Sequence, residues 1–211
     1  MIAALYVLPG GVYYGLPDVD PWDEARDARL YAGPWPVVAH PPCARWGHYW
    51  YGGPTLHKQG IRLKLGDDAG CFAAALTSVR QWGGVLEHPQ DSAAWKTFGI
   101  ATPPRKGGWI PEGLFGDGWS CRVEQGHYGH RARKATWLYA VRCALPELRW
   151  GPCEAQIKVS DMWHSKEERD RAIRTGTCQV LSHKERAATP IAFRDVLLAM
   201  ARSARPEGEE R

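Results

Sequence analysis

The chain lacks most features that mark a specialised class. Its 211 residues contain no apolar run long enough to span a bilayer, no block of like charge, no internal repeat and no Cys-x-x-Cys pair. These absences argue against a transmembrane helix, a polyanion-binding tail and a paired-cysteine zinc module. The six cysteines, at 43, 71, 121, 143, 153 and 178, are scattered. No disulfide framework is expected, and the thiols read as reduced and cytoplasmic. Residues 1–8 are apolar without basic residues and stop at Pro9-Gly10-Gly11, so they read as a strand rather than a signal peptide.

What is present is ordinary in bulk and unusual in one respect. Hydrophobic residues make up 44% and charged residues 24%, which suits one globular domain. Residues 1–204 are expected to form it, with 205–211 as a flexible tail. The net charge of +4 permits a nucleic-acid or nucleotide partner without requiring one. The 11 tryptophans stand out. Trp46, Trp50 and Trp119 lie in Gly- and Pro-rich stretches, where they either pack or stack on bases.

Apolar runs at 3–8, 36–40, 84–88, 121–125 and 135–141 predict strands. A helix is expected over 68–82, capped by Asp67 or Asp68 and ended by Gly83. A shorter one at 92–98 opens at Ser92. Ser165 and Glu168 form a capping box. A last helix is expected with Thr189 as cap, Pro190 in its first turn, and Ile191, Val196, Leu197 and Met200 on one face. The alternation predicts a largely parallel sheet covered by helices, with 121–141 as an antiparallel hairpin at its edge. Residues 100–120 read as a long loop.

Chemistry concentrates at two strand ends. Val37-Val38-Ala39 runs into His40-Pro41-Pro42-Cys43, where the prolines stop ladder pairing and hold Cys43 at a carboxyl edge. Ligands bind at that edge in α/β sheets. A second buried strand, Gly84-Val85-Leu86, ends in Glu87-His88-Pro89. Further on comes a basic turn, Gln125-Gly126-His127-Tyr128-Gly129-His130-Arg131-Ala132-Arg133-Lys134-Ala135-Thr136-Trp137. His127 and His130 with Cys121 or Cys43 lack the paired spacing of a metal site, so no metal is expected. Pro-Cys-Ala-Arg-Trp also lacks the Pro-Cys-x-x-Cys of the zinc nucleobase deaminases.

In this order the segments resemble the DNA cytosine-C5 methyltransferases, and the spelling of the third looks like compact, phage-encoded members. The resemblance is strongest over 37–141. It implies a shortened Rossmann-like, class I methyltransferase-type sheet with flanking helices, a hairpin edge and a C-terminal closing helix. It implies a methyl (one-carbon) transferase acting at C5 of a pyrimidine, cytosine in DNA being the expected target. Cys43 would be the nucleophile that adds to C6, and its pKa would need lowering by Arg45, His40 or a helix N-terminus. Glu87 would hold its proton and grip N3 and the exocyclic amine. Arg131, Arg133, Lys134, Thr136, His88 and Pro42 would contact the substrate. Gly10, Gly11, Asp20 and Trp22 would hold S-adenosylmethionine.

Departures accompany the resemblance. Ala44 stands where the family's loop has Gln, and His88 where it has Asn. Eight residues separate Gly11 from Asp20, too few for the usual helix and second strand. The recognition region, about 142–188, is reduced. Two other readings follow: a pyrimidine base or nucleotide modification that uses the same Cys/Glu pair without S-adenosylmethionine, and a catalytically silent nucleic-acid-binding protein. A homodimer could complete a groove that one small recognition region leaves open.

Overall fold

The structure, a computed structural model, describes residues 1–113, 116–154, 165–175 and 181–205. Its strands are β1 (Ile2–Leu5), β2 (Val19–Trp22), β3 (Val37–Ala39), β4 (Gly84–Pro89), β5 (Ile110–Pro111), β6 (Gly118–Glu124) and β7 (Ala135–Val141). Its helices are α1 (Gly53–Lys58), α2 (Cys71–Trp82), α3 (Ala93–Thr97), α4 (Lys166–Arg174), α5 (His183–Ala187) and α6 (Ile191–Arg202). The strands form one mixed sheet in the order β2-β1-β3-β4-β7-β6-β5. The first four are parallel, and β7, β6 and β5 follow with antiparallel pairing.

The short strands β1 and β3 are buried throughout, as parallel strands covered on both faces must be. Alternation then divides the core. Leu5, Val37, Ala39 and Leu86 face α2, with Phe72, Leu76 and Val79. Ala4, Val38 and Val85 face α6, with Phe193, Leu197 and Leu198. The C-terminal helix therefore does close the sheet.

Several expectations need correction. Residues 100–120 are not one loop, because β5 forms within them and β6 begins at Gly118, which places Trp119 in a strand. The β1–β2 connection does lack a helix, yet a second strand forms all the same, parallel to β1. Its Pro21 is tolerated because β2 lies at the sheet edge. The hairpin β6–β7 is antiparallel but not outermost, since β5 pairs beyond it. Thr189 does not cap α6; Pro190 takes the N-cap position with no side-chain bond. Other end signals hold in part, with the Ser92 cap present, one half of the Ser165–Glu168 capping box shown, and neither Asp67 nor Asp68 at the N-cap of α2. Ser92 accepts from the Ala94 amide, and Ser165 accepts from the Glu168 amide at 3.1 Å. Asp68 reaches the amides of Gly70 and Phe72 at the start of α2, although Gly70 is its N-cap. The expected tail beyond 205 lies outside the described residues, as do 155–164 and 176–180 within the 142–188 region. Among the described residues, no helix is long and apolar enough to cross a membrane.

Candidate active site at the carboxyl edge

Strand β1 is followed by β2 on one side and β3 on the other. The chain thus reverses direction across β1, and the carboxyl ends of β1 and β3 flank a topological switch point. Ladder register sets what meets there. Val37 pairs with Gly84 and Ala39 with Leu86, which brings His40 beside Glu87. Gly84 permits this approach: its φ is +114°, and a Cβ there would collide with the Val37 carbonyl.

Glu87 is 8% exposed and each of its carboxylate oxygens has one hydrogen-bond partner. Oε2 meets His40 Nδ1 at 3.0 Å, and Oε1 accepts from Gln125 Nε2 at 2.9 Å. The Gln125 amide also donates to Thr136 Oγ1 at 3.0 Å. Behind His40, its Nε2 meets the Tyr13 hydroxyl at 2.8 Å. The result is a buried polar chain, Tyr13–His40–Glu87–Gln125–Thr136, assembled from five separate segments. Burial raises the Glu87 pKa, but the His40 hydrogen bond and charge, with Lys134 and His88, outweigh it and bring the pKa down to about 2. The expected protonated Glu87 is therefore a carboxylate at rest.

Cys43 sits at the rim, exposed, on the loop after β3. The surrounding chain still desolvates its thiol enough to raise the pKa, and Glu87 adds to the effect while Lys134 opposes it. This corrects the expectation of a lowered pKa. The reasons are local: His40 is engaged by Glu87 and Tyr13, and the Arg45 guanidinium reaches the Trp50 carbonyl. Lys134 is the cation that feels both Cys43 and Glu87. Burial lowers its pKa and the two acidic groups oppose that.

The other expected contacts disperse. Lys134 is tethered by Nζ to the Ala187 and Ala188 carbonyls, and Arg131 pairs with Glu185 at 2.7 Å. Arg133 projects outward, 59% exposed, 4.0 Å from Glu124. Thr136 is wholly buried and supports Gln125, so substrate does not reach it. Pro42 is an exposed rim residue. His88 points to the opposite face of the sheet, where it stacks on Trp95 and meets Phe72 edge-on. Neither of its ring nitrogens has a hydrogen-bond partner, and the Pro42 carbonyl approaches without hydrogen-bond geometry. His88 is not a substrate contact.

The residues expected to hold S-adenosylmethionine do not fit it. The Asp20 carboxylate already accepts from Trp22 Nε1 at 2.8 Å and from Arg26. Burial opposes its charge, but these donors win and keep its carboxyl below the usual range. The Arg26 guanidinium covers the Trp22 ring 4.0 Å from its centroid, and Tyr31 meets that ring edge-on. Ribose and adenine would have to displace these partners. Gly10 and Gly11 form a tight turn, in which the Gly11 amide donates to the Leu8 carbonyl.

Sequence reasoning missed Tyr13 and Gln125. Gln125 carried one usable signal, its position directly after a strand in the basic turn. Tyr13 carried none, because only the fold brings residue 13 to residue 40. No family model, curated protein or solved structure matches the chain. Among the described residues no cluster of three or more His, Cys, Asp or Glu could hold a metal.

Proposed function

We propose that this chain is a one-carbon transferase acting at C5 of a pyrimidine, with cytosine in DNA as its target. The single observation that carries the reading is that the adjacent parallel strands β3 and β4 bring the exposed Cys43 thiol and the buried Glu87 carboxylate to one carboxyl edge, within the electrostatic reach of Lys134. The sheet is then a shortened relative of the methyltransferase sheet, with β3 and β4 presenting nucleophile and carboxylate.

The Cys43 thiolate adds to C6, forming the C6–S bond and driving electrons toward C5 and N3. Lys134 favours the thiolate before attack. Glu87 receives the exocyclic amine as a hydrogen-bond donor. N3 gains its proton through Glu87, which must first be loaded, and His40 Nδ1 is the neighbouring group that can load it. C5 then bonds the one-carbon group as its bond to the donor breaks and the donor remnant departs. N3 returns its proton to Glu87, a base removes the C5 proton, and the C6–S bond breaks to release the thiolate. In this scheme Tyr13 and Gln125 hold His40 and Glu87 in place.

The donor divides two versions of this reading. S-adenosylmethionine is the donor the resemblance implies. The engagement of Asp20 by Arg26 and Trp22 favours the second, a different one-carbon donor with the same Cys43–Glu87 pair. The test is intact-protein mass after incubation with DNA containing 5-fluorocytosine, with and without S-adenosylmethionine. Fluorine cannot leave C5 as a cation, so completed transfer leaves the DNA attached to Cys43. An adduct that needs S-adenosylmethionine and is lost in Cys43→Ser establishes the first version. An adduct formed only with another one-carbon donor establishes the second. If none of these conditions gives an adduct and Cys43→Ser alters no activity, the silent binding protein is the better account.

A further inference from the structure

The loop that carries Cys43 continues into an excursion whose base is fastened to the core. The Gly66 amide donates to the Arg45 carbonyl at 3.0 Å, and Trp46 Nε1 donates to Asp68 at 2.7 Å. Trp46 itself is buried against Phe72 and Phe98, so its indole is packing and not a stacking platform. The segment between these ties follows Cys43 directly in the chain. It holds a cavity of about 500 Å³ lined by Trp50, Tyr51, His57, Lys58, Arg62 and Leu63.

The lining has a particular chemistry. Trp50 and His57 both stand nearly perpendicular to Tyr51, at 85° and 84°, with ring centroids 5.8 and 6.1 Å away. Lys58 and Arg62 are exposed at the mouth and contribute two positive charges. Neither makes an ion pair with an acidic side chain of the described residues. The Arg62 guanidinium contacts the His57 ring, so ring and cation stand side by side in the lining. Aromatic faces beside cations without acidic partners suit a planar base joined to a phosphate. An apolar peptide would leave both cations uncompensated. The excursion also begins at Arg45, two residues after the nucleophile.

We propose that this cavity is a stacking subsite for a nucleotide flanking the target base, so that the substrate is a single strand of DNA rather than a free nucleotide. The inference rests on the reading of Cys43 given above and deepens it by naming the form of the substrate, a single strand held by a base beside the target. One base occupies the Cys43–Glu87 site while a neighbour lies among Trp50, Tyr51 and His57, its phosphate against Lys58 and Arg62.

Binding is measured by fluorescence anisotropy with a fluorescein-labelled eight-nucleotide single strand and with deoxycytidine monophosphate as competitor. Both are measured in a Cys43→Ser background, which cannot form the covalent bond. That choice separates the two claims, since the mass adduct tests the chemistry and anisotropy tests the subsite alone. The expected result is that the strand binds at least tenfold more tightly than the monophosphate and that Trp50→Ala removes about tenfold of its affinity. Lys58→Ala with Arg62→Ala, both at exposed positions, is the second variant. It should lower the slope of log affinity against log salt by about 0.7, the value for one single-strand phosphate contact. Equal affinity for strand and monophosphate overturns the proposal. So does unchanged strand binding in both variants.

Discussion

Glu87 and His88 are chain neighbours on β4 with opposite surroundings. Strand alternation sends Glu87 to the α6 face, into a polar chain in which both carboxylate oxygens are bonded. The same alternation sends His88 to the α2 face, between Phe72 and Trp95, with both ring nitrogens unbonded. Burial is nearly complete for both, so it is the partners that decide ionisation. Glu87 is held charged, with its pKa brought down to about 2. His88 is held neutral, because desolvation outweighs the opposing pull of Glu87 and lowers its pKa to about 4. Burial of a titratable group thus points to a candidate reactive centre here only where a prepared polar network accompanies it.

The largest expected effect breaks the pair apart functionally. Glu87→Gln keeps the shape and removes the charge, and adduct formation with 5-fluorocytosine DNA should slow by about 100-fold or more. His88→Phe should leave that rate within about threefold. Equal losses in the two variants would mean that the two faces are not chemically distinct.

Stability should separate them next. Gln125→Leu removes the donor to Glu87 Oε1 and leaves a buried carboxylate short of a partner, a change that costs about 3 kcal/mol or more in denaturant unfolding. His88→Phe at pH 7 replaces two unbonded polar atoms with carbon and should cost little.

Acid sharpens the contrast because the two groups act in different windows. The unfolded chain protonates His88 near pH 6.5, while the folded chain resists until about 4. Stability therefore falls as pH drops from 6.5 to 4, by on the order of 3 kcal/mol for this shift. Glu87 gives its stabilisation above about pH 4.5 and loses it as pH falls toward 2. His88→Phe should flatten the upper window and leave the lower one. The smallest loss expected at pH 7, apart from the near-silent His88→Phe, belongs to Tyr13→Phe, which removes one hydrogen bond to His40 and should cost about 1 kcal/mol.

Local patterns were legible where one physical rule governs a short stretch. The β3 strand ended by Pro41-Pro42, the Ser92 cap and the strand ending in Glu87 follow from the sequence because propensity and fold agree there. The edge strand Val19–Trp22 was hidden by Pro21, which disqualifies a central strand but not an edge one. Thr189 looked like a cap because a capping residue preceding Pro190 fits the usual pattern, yet α6 begins one residue later than that pattern requires. In the site, Cys43 and Glu87 were visible as residues at strand ends. The ionisation of Glu87 was not, because it depends on His40 and Lys134, which lie 47 positions on either side of it. His88 was misplaced because its neighbour's role was extended across a pleat.

The central claim is that Cys43 adds to C6 of a pyrimidine, and release of tritium from C5 tests it without assuming a donor. Addition at C6 makes C5 exchange its proton with water. Single-stranded DNA carrying 5-tritiated cytosine should lose tritium to solvent with the wild-type chain and retain it with Cys43→Ser. Release that persists in Cys43→Ser, or no release by the wild type from strand or nucleotide, would contradict the account.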